Sequence, residues 1–318
     1  MTTIHTDDVS ASAPSARQPR SHVASTGRDG RRQVNVLAGL GHVALVIWAL
    51  LVLLPLVWTF MAAFKNNAEI FGDAWTLPSK FGFGAFGRAW TKAHIGTYMF
   101  NSIIIVAFST FGTMLFGSMA AYVLARYKFW GNRFIYYLFV AGLAFPVFLA
   151  LVPLFFAVKN SGSIPVVGPY VGLGSRAGLI LVYIAYSLPF TVFFLSAFFK
   201  TLPNSIAEAA IVDGASHTRL FFRVMLPMAR SGIVSITIFN ILGQWNQYLL
   251  PVALIQGEDA DKRWVLTQGI ANISTQAGYE ADWPALFAAL TLAILPMIIV
   301  YAIFQRQIQA GLTAGALK

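Results

Sequence analysis

The sequence predicts an all-α, polytopic membrane protein with six transmembrane helices, and three observations support this prediction. Only 11% of the 318 residues are charged and 57% are hydrophobic, whereas a soluble domain carries about 25% charged residues. The mean hydropathy is +0.67. Six long stretches lack Asp, Glu, Lys and Arg, and each contains the ~20 apolar residues that a helix needs to cross a bilayer.

The predicted spans follow a polar N-terminal segment. Residues 1–36 are rich in Ser, Ala, Arg and Pro, which predicts a disordered cytoplasmic tail. The segment is too long and polar to begin a cleaved signal peptide, so residues 37–318 form the predicted transmembrane domain. The uncharged stretch 160–175 is rich in Gly, Pro and Ser and is predicted to be a loop. The spans are centred on residues 42–63, 100–123, 135–157, 178–198, 232–255 and 285–304.

The distribution of basic residues predicts the orientation of these spans. If the N-terminus is inside, the inner segments carry 14 basic and 5 acidic residues, and the outer segments carry 8 basic and 7 acidic residues. Cytoplasmic loops of membrane proteins are enriched in Lys and Arg. Both termini are therefore predicted to be cytoplasmic, together with the segment between spans four and five.

Several functions are excluded or disfavoured by what the sequence lacks. It contains no cysteine and only scattered histidines, so no metal site is predicted. No Gly-x-x-x-x-Gly-Lys-Ser/Thr motif occurs, so the chain has no P-loop for nucleotide phosphates. No Asp, Glu, Lys or Arg lies inside the predicted spans, although ion-coupled carriers usually place ionisable groups there. If the chain drives transport, the energy must come from a partner.

Two other signals are misleading. The net charge of +10 could indicate nucleic acid, but the basic residues are spread over the loops and form no stripe, so no nucleic-acid partner is predicted. Residues 82–87 match the dinucleotide motif Gly-x-Gly-x-x-Gly. That motif requires a preceding strand, and the surrounding sequence does not predict one.

The segment from Glu208 to Pro227 interrupts the apolar pattern between spans four and five. Ser205 and Glu208 have the spacing of a capping box at the start of a short helix, 206–212. Within that helix Ala209 and Ala210 keep one side slim, so it could enter a cleft on a partner.

A second short helix is predicted directly after the first. Asp213 ends the first helix, and Gly214 closes it in the left-handed conformation. Ser216 then caps a helix over 217–225, with Pro227 near its end. The two helices form a helix–turn–helix elbow outside the bilayer, where Phe221 could pack against the membrane domain or a partner.

The fifth span carries most of the polar residues within the membrane. At 100° per residue Asn240, Gln244 and Gln247 share one helix face with Pro251, and Tyr248 lies off the centre of that face. Amides in a bilayer face a cavity or another helix rather than lipid. Two interpretations remain open here: a pathway that binds sugar hydroxyls, and hydrogen bonding between helices.

These features together resemble a known family. Glu208-Ala209-Ala210, then Gly214 and Leu226-Pro227, resemble the EAA loop of ABC importer permeases. Over roughly residues 40–318 the chain is similar to the carbohydrate-uptake branch, of the maltose-transporter MalG type; Ser231 departs from it, standing near a position where the family often has proline. Further matching stretches are Asn101-Ser102, Ala120–Arg126, Pro153-Leu154-Phe155, Leu188-Pro189-Phe190, Trp245–Tyr248, Gln305-Arg306 and Gly311–Ala316.

The resemblance implies a non-catalytic permease subunit of an ATP-driven, binding-protein-dependent importer for a sugar or oligosaccharide, in a bacterial-type inner membrane. Another solute, such as glycerol phosphate or a polyamine, is an alternative, and a stand-alone secondary carrier is a second one. The implied partners are a second permease subunit, two ATPase subunits and an extracytoplasmic solute-binding protein. ATP and Mg would be bound by the ATPase subunits, and this chain would hold no cofactor.

The resemblance also implies roles for particular residues. The outer loop 257–282 would reach into the binding protein. Glu208 would pair with a basic group on the ATPase. The residues expected in ATPase coupling are Glu208, Ala209, Ala210, Asp213, Gly214, Phe221, Leu226 and Pro227, and those expected to contact the binding protein are Gln268, Asn272 and Gln276. The residues expected in the pathway come instead from the polar side of the fifth span: Asn240, Gln244, Gln247 and Tyr248.

Overall fold

The computed structural model describes residues 29–280 and 282–316, and among these residues the regular structure is entirely helical. The chain divides into two units, residues 1–55 and 56–318. An all-helical architecture is what the hydropathy pattern predicts, because a helix satisfies its backbone hydrogen bonds within one segment of a bilayer.

The first unit holds most of helix α1 (Asp29–Ala62). Its apolar side chains from residue 40 onwards are exposed, as expected for a helix whose surroundings are lipid. The predicted tail over 1–36 is too long, because residues 29–36 are already helical; residues 1–28 lie outside the described residues. Once an apolar helix has formed, each added residue gains a hydrogen bond without a new nucleation cost.

The second unit contains the end of α1 and all later elements. It includes a π-helical turn, Phe221–Met225, and a short 3-10 helix, Ala260–Arg263. The α-helices are, in order, α2 (Asn67–Gly72), α3 (Gly84–Thr91), α4 (Ile95–Arg126), α5 (Asn132–Ala144), α6 (Val147–Ser161), α7 (Gly168–Val171), α8 (Arg176–Thr201), α9 (Asn204–Val212), α10 (His217–Leu220), α11 (Leu226–Met228), α12 (Arg230–Trp245), α13 (Leu249–Leu254), α14 (Leu266–Glu280) and α15 (Trp283–Ala316).

Four helices are long and apolar enough to cross a membrane by themselves: α1, α4, α8 and α15. Two bent pairs meet the same criterion only when each pair is taken together. Helices α5 and α6 meet at 107°, and the segment His217–Met228 meets α12 at 80°. The described residues therefore provide up to six spans, the predicted number, if each pair counts as one.

The predicted third span is broken at Pro146. Phe145 and Pro146 are both extended, with ψ of 117° and 124°. Proline has no N–H to donate, and it disfavours the helical conformation of the residue before it. A hydropathy profile registers only the continuous apolar run and so misses this break.

The predicted fifth span, 232–255, is also wrong as one continuous helix. Helix α12 ends at Trp245, and α13 begins at Leu249. Pro251 cannot donate a hydrogen bond to the carbonyl of Gln247, four residues earlier. That carbonyl instead accepts a bond of 2.8 Å from the Thr267 hydroxyl.

Helices α4 and α8 pack closely along their length, and α12 packs against both of them. Small residues allow this approach. A Cβ added to Gly112 would lie 2.5 Å from Ile184, and one added to Gly117 would lie 2.6 Å from Thr191. Close backbone approach at small residues is a common means of holding helices together in membranes.

The segments predicted as loops contain more helix than expected. The stretch 160–175 includes the single turn α7, and 257–282 includes the whole of α14. Residues 84–87, in the glycine motif, form the start of α3 and follow no strand. This confirms that the motif lacks the context of a dinucleotide site.

Candidate functional site

The elbow between α8 and α12 begins with helix α9. This helix starts at Asn204, two residues earlier than a Ser205 cap allows, and Pro203 precedes it without any side-chain cap. The predicted capping box between Ser205 and Glu208 is therefore wrong, because Ser205 already lies inside the first turn. The carboxylate of Glu208 is exposed and remains available to a partner.

The end of α9 matches the prediction for Gly214. This residue has φ +81°, and its N–H donates to the carbonyl of Ile211 at 2.9 Å. The N–H of Ala215 donates to the carbonyl of Ala210, also at 2.9 Å. These two bonds define a Schellman motif, which turns the chain sharply while satisfying the last carbonyls of the helix. Asp213 is the exposed residue at the C-cap.

The second half of the elbow is less regular than the predicted helix over 217–225. Ser216 does cap it, accepting a bond from the N–H of Arg219 at 3.3 Å. After one α-helical turn the chain widens into the π turn, in which the N–H of Leu226 donates to the carbonyl of Phe221. π turns occur frequently at functional sites. Here the turn lies directly before the 80° bend into α12.

Helix α9 has one face against the membrane domain and one face in the open. Ala207 and Ala210, one turn apart, pack on the cluster that contains Tyr122 and Phe199. Val212 is 85% exposed, and Ile211 is exposed beside it. The small alanines let the helix lie close to the domain. Ile211 and Val212 form an apolar ridge next to Glu208 that no described residue covers.

Phe221 anchors the elbow to the membrane domain. Its ring is 5% exposed and lies 5.1 Å from Tyr122 and 6.4 Å from Phe199. The prediction left open whether this ring packs on the domain or on a partner, and the structure supports the first. Leu226 is half-buried on the same cluster, whereas Pro227 is exposed.

Two residues that sequence reasoning left without a role hold the elbow at both ends. The guanidinium of Arg126, at the end of α4, donates to the carbonyls of Leu202 and Pro203, at 2.9 and 3.3 Å. The hydroxyl of Tyr127 and Nδ1 of His217 share a hydrogen bond of 2.9 Å. Arg126 and Tyr127 thus fix the chain immediately before α9 and at the start of α10. Their position just after the predicted second span is the feature of the sequence that could have suggested this role.

The polar residues of α12 point between helices. The side-chain oxygen of Gln244 accepts bonds from Ser109 and Thr110 of α4, at 2.7 and 2.9 Å. Its amide nitrogen donates to Ser187 of α8 at 3.0 Å. The Asn240 amide donates to Thr191 at 2.9 Å. For these two amides, the structure favours hydrogen bonding between helices over direct contact with a solute.

A cavity of about 320 Å³ lies beside this network, within the range of ~300–1,000 Å³ typical of ligand pockets. Gln247 lines it from the break after α12 and is half-buried. The Tyr183 ring is almost fully buried, and its hydroxyl has no hydrogen-bond partner among the described residues. The other residues that line the cavity are Gly142, Leu143, Phe145, Tyr186, Ser187, Pro189, Phe190, Phe239, Asn240, Gly243 and Gln244.

The predicted one-faced pathway is therefore divided by the break in the fifth span. Asn240 and Gln244 hold helices together, Gln247 borders the cavity, and Tyr248 lies elsewhere, in a groove that it shares with Asn272. Tyr183 and Tyr186 are candidate contacts that the prediction missed. Nothing in their local sequence distinguishes them from packed tyrosines.

The three residues predicted to contact the binding protein also differ in their surroundings. Gln268 is 7% exposed; its oxygen accepts from the N–H of Val265 at 3.2 Å and its nitrogen donates to the carbonyl of Pro251 at 3.3 Å. This burial argues against a direct contact by Gln268. Asn272 and Gln276 line two separate surface grooves and are accessible to a partner.

An ion pair joins α3 to the start of α15 near Gln276. The guanidinium of Arg88 donates to both carboxylate oxygens of Asp282, at 2.7 and 2.8 Å. The hydrogen bond from Arg88 lowers the pKa of the Asp282 carboxyl, against the opposing effect of partial burial. Among the described residues no group of three His, Cys, Asp or Glu could hold a metal ion.

Comparisons with known proteins agree with this geometry. The family described as binding-protein-dependent transport system inner membrane component matches residues 113–313. A diacetylchitobiose uptake system permease protein, NgcG of Streptomyces coelicolor, is 47% identical over 88% of this chain and 89% of its own length.

Other similar proteins carry related descriptions. A multiple sugar-binding transport system permease protein, MsmG of Streptococcus mutans, is 30% identical over 87% of this chain and 96% of its own length. Among solved structures, a bacterial ABC transporter involved in import of the acidic polysaccharide alginate has a chain that superimposes with a TM-score of 0.73. The two sequences are 23% identical, and the superposition covers 86% of this chain and 97% of that chain. This likeness shows a shared fold.

Proposed function

The chain belongs to the family of inner membrane components of binding-protein-dependent transport systems, and we propose that it forms half of the sugar pathway in an ATP-driven importer. The observation that carries the proposal is the structure of the elbow. Its first helix bears Glu208, ends in a Schellman motif and exposes the apolar side chains of Ile211 and Val212. Phe221 anchors the elbow to the membrane domain. A chain without a P-loop must receive the energy of ATP through such a contact.

The elbow is suited to seating in an ATPase subunit. Val212 and Ile211 present apolar area for a groove, and the carboxylate of Glu208 can pair with a basic group beside it. The remaining partners in the proposal are a second permease subunit, a second ATPase subunit and the solute-binding protein. ATP and Mg would be bound by the ATPase pair, and this chain performs no covalent chemistry.

Movement of the elbow would reach the membrane through a short path. Arg126 and Tyr127 transmit a displacement to α4, since both bond directly to the elbow. The π turn and the bend lead to α12, whose Gln244 is bonded to α4 and α8. A pull on the elbow would therefore shift the helices that border the cavity.

The cavity supports a neutral sugar as substrate. Its lining contains aromatic rings, hydroxyls and amides but no charged residue among those described. This disfavours glycerol phosphate or a polyamine, each of which carries charge that an uncharged pocket would leave unpaired. Because a close relative is named for diacetylchitobiose uptake, we place N-acetylated disaccharides first among the candidates.

The proposed setting is the cell inner membrane, with both termini and the elbow in the cytoplasm. The basic residues favour this orientation. The groove shared by Tyr248 and Asn272 would then face the outside, where the binding protein delivers sugar.

Reconstitution tests the proposal directly. Proteoliposomes containing this chain, its partner permease and the ATPase subunits should take up labelled diacetylchitobiose only when ATP and the binding protein are present. Liposomes with this chain alone should show no flux. Uptake by the chain alone without ATP would instead establish a secondary carrier.

Gly214 provides a sharper test of the elbow. Gly214→Val should abolish ATP-driven uptake while leaving membrane insertion intact, because a β-branched residue is strained at φ +81°. Gly214→Asn is the matched control, since asparagine tolerates this conformation. The proposal fails if the valine variant transports as well as the asparagine variant.

A further inference from the structure

A large cavity lies on the elbow side of the molecule, apart from the sugar cavity. It has a volume of about 1390 Å³ and is formed by the end of α4, the turn that follows, the start of α5 and the end of α8. Its lining residues include Arg126, Lys128, Arg133 and Lys200, and no acidic residue lines it within the described part of the chain. An anion would find several cations around one space.

Three of these cations are available to a ligand. Arg126 is occupied by the carbonyls before α9. Lys128, Arg133 and Lys200 are exposed, and none of them forms an ion pair with a described residue. Lys200 is held with its ammonium 5.0 Å from the centre of the Tyr136 ring, which keeps it over the cavity without neutralising its charge.

The surroundings of the cavity identify the kind of anion. Immediately after Arg133 the surface becomes apolar, with Phe134 73% exposed and Leu138 exposed one turn later. Trp130, at the tip of the turn, is 98% exposed. Exposed Trp beside the change from charged to apolar surface is typical of the membrane–water interface.

We propose that this cavity binds the phosphate headgroups of anionic phospholipids at the end of the bilayer nearest the elbow. The cations would contact the phosphate, while Phe134 and Leu138 would lie along the acyl chains. Asn132 gives the site a fixed shape, since its amide donates to the carbonyls of Leu124 and Tyr127, at 3.1 and 2.8 Å. An acidic face of a protein partner would match the charges but would leave the apolar rim in water.

The site adjoins the elbow, so a bound lipid would influence transport. Lys200 lies four residues before α9, and Arg126 contributes both to the cavity wall and to the contact with Leu202 and Pro203. A headgroup bound here would restrain the end of α8 and the turn after α4. The inference does not depend on which solute is transported.

The test uses the full-length chain in phosphatidylcholine vesicles with trace spin-labelled lipid. Electron paramagnetic resonance gives the fraction of labelled lipid that is motionally restricted by the protein. We expect phosphatidylglycerol to be preferred over phosphatidylcholine, and the triple variant K128Q/R133Q/K200Q to lose about fivefold or more of that preference. Each cation near an anionic membrane surface contributes about fivefold, so fivefold is the smallest loss expected if even one of the three contacts the headgroup.

Matched variants distinguish binding at this cavity from a general attraction between the positively charged chain and anionic lipid. K80Q/K92Q/K159Q removes the same charge from exposed lysines that do not line the cavity, and it should keep the preference. K128R/R133K/K200R should keep it as well. Equal loss in the distant triple variant would overturn the proposal.

Two further outcomes would also contradict it. Complete displacement of phosphatidylglycerol by millimolar inorganic phosphate would reassign the cavity to soluble phosphate. Efficient crosslinking of Lys128→Cys to an ATPase subunit in the assembled complex, with loss of the lipid preference there, would make the cavity a protein interface.

Discussion

At the scale of single residues, two glutamines three positions apart have different surroundings. Gln244 is buried and bonded to side chains of α4 and α8. Gln247 lies past the end of α12, where its side-chain oxygen accepts from the N–H of Tyr248 at 3.1 Å and its amide nitrogen has no partner among the described residues. A helical wheel places them together because it assumes that the helix continues.

This difference predicts opposite phenotypes. Gln247→Ala should raise the KM for sugar uptake about tenfold, from the loss of one hydrogen bond, without changing the unfolding temperature. Gln244→Ala should destabilise the chain by about 2 kcal/mol, since it removes three bonds between helices at roughly 0.6 kcal/mol each. Uptake kinetics and thermal unfolding in detergent separate the two variants. Equal effects in both assays would contradict the assignment.

The Arg88–Asp282 pair gives a prediction about pH. Because Arg88 lowers the pKa of Asp282, the pair stabilises the folded chain above the ordinary aspartate pKa of about 3.9. That contribution is lost as the pH falls through the lower folded value. Both side chains are more than a third exposed, so we expect about 1 kcal/mol or less.

Arg88→Met should therefore lower the unfolding temperature at pH 7, and its difference from wild type should shrink below about pH 4. Thermal unfolding across this range measures the difference. Lys80→Met, another exposed cation outside the pair, is the control. A difference that stays constant with pH would show that packing of the Arg88 side chain, rather than the ion pair, is responsible.

At the scale of elements, the elbow shows what local sequence can predict. The turn at Gly214 and the cap at Ser216 follow from residue types that determine the backbone within a few positions. The contact of Arg126 with Leu202 joins residues 76 positions apart, and no local pattern encodes such a distance. The breaks at Pro146 and after Trp245 were marked by proline, but continuous hydropathy concealed them.

The contacts of Arg126 and Tyr127 predict a loss of coupling without a loss of assembly. Arg126→Met removes both bonds to the carbonyls before α9, and Tyr127→Phe removes the bond to His217 while keeping the ring. In the reconstituted complex we expect each variant to reduce sugar uptake per ATP hydrolysed, and the double variant to reduce it further. Tyr170→Phe, at an exposed tyrosine of α7 that lies outside the elbow, should leave that ratio unchanged.

At the scale of the whole molecule, composition and hydropathy were sufficient for the helical membrane class, and the motif from Glu208 to Pro227 was needed for the family. Neither predicted the cavity of about 320 Å³, because its lining comes from α5, α8, α12 and the turns beside them. Residues that look like ordinary packing in sequence, such as Tyr183 and Tyr186, become candidate contacts only once the helices are assembled.

The orientation can be tested because the chain has no cysteine, so that one introduced thiol is unique. Val212→Cys, on the elbow, should react with an impermeant maleimide only in inside-out vesicles. Lys159→Cys, at the end of α6, should react in intact cells stripped of their wall. Reversal of this pattern would place both termini outside the cell.

The π turn before α12 restricts how the length of this segment can vary. Its extra residue adds about 100° of rotation relative to an α-helical turn. Deleting one residue between Phe221 and Met225 would restore an α-helix and turn the elbow by about a quarter of a revolution against α12. Relatives that share this joint should therefore tolerate substitutions within it far better than insertions or deletions.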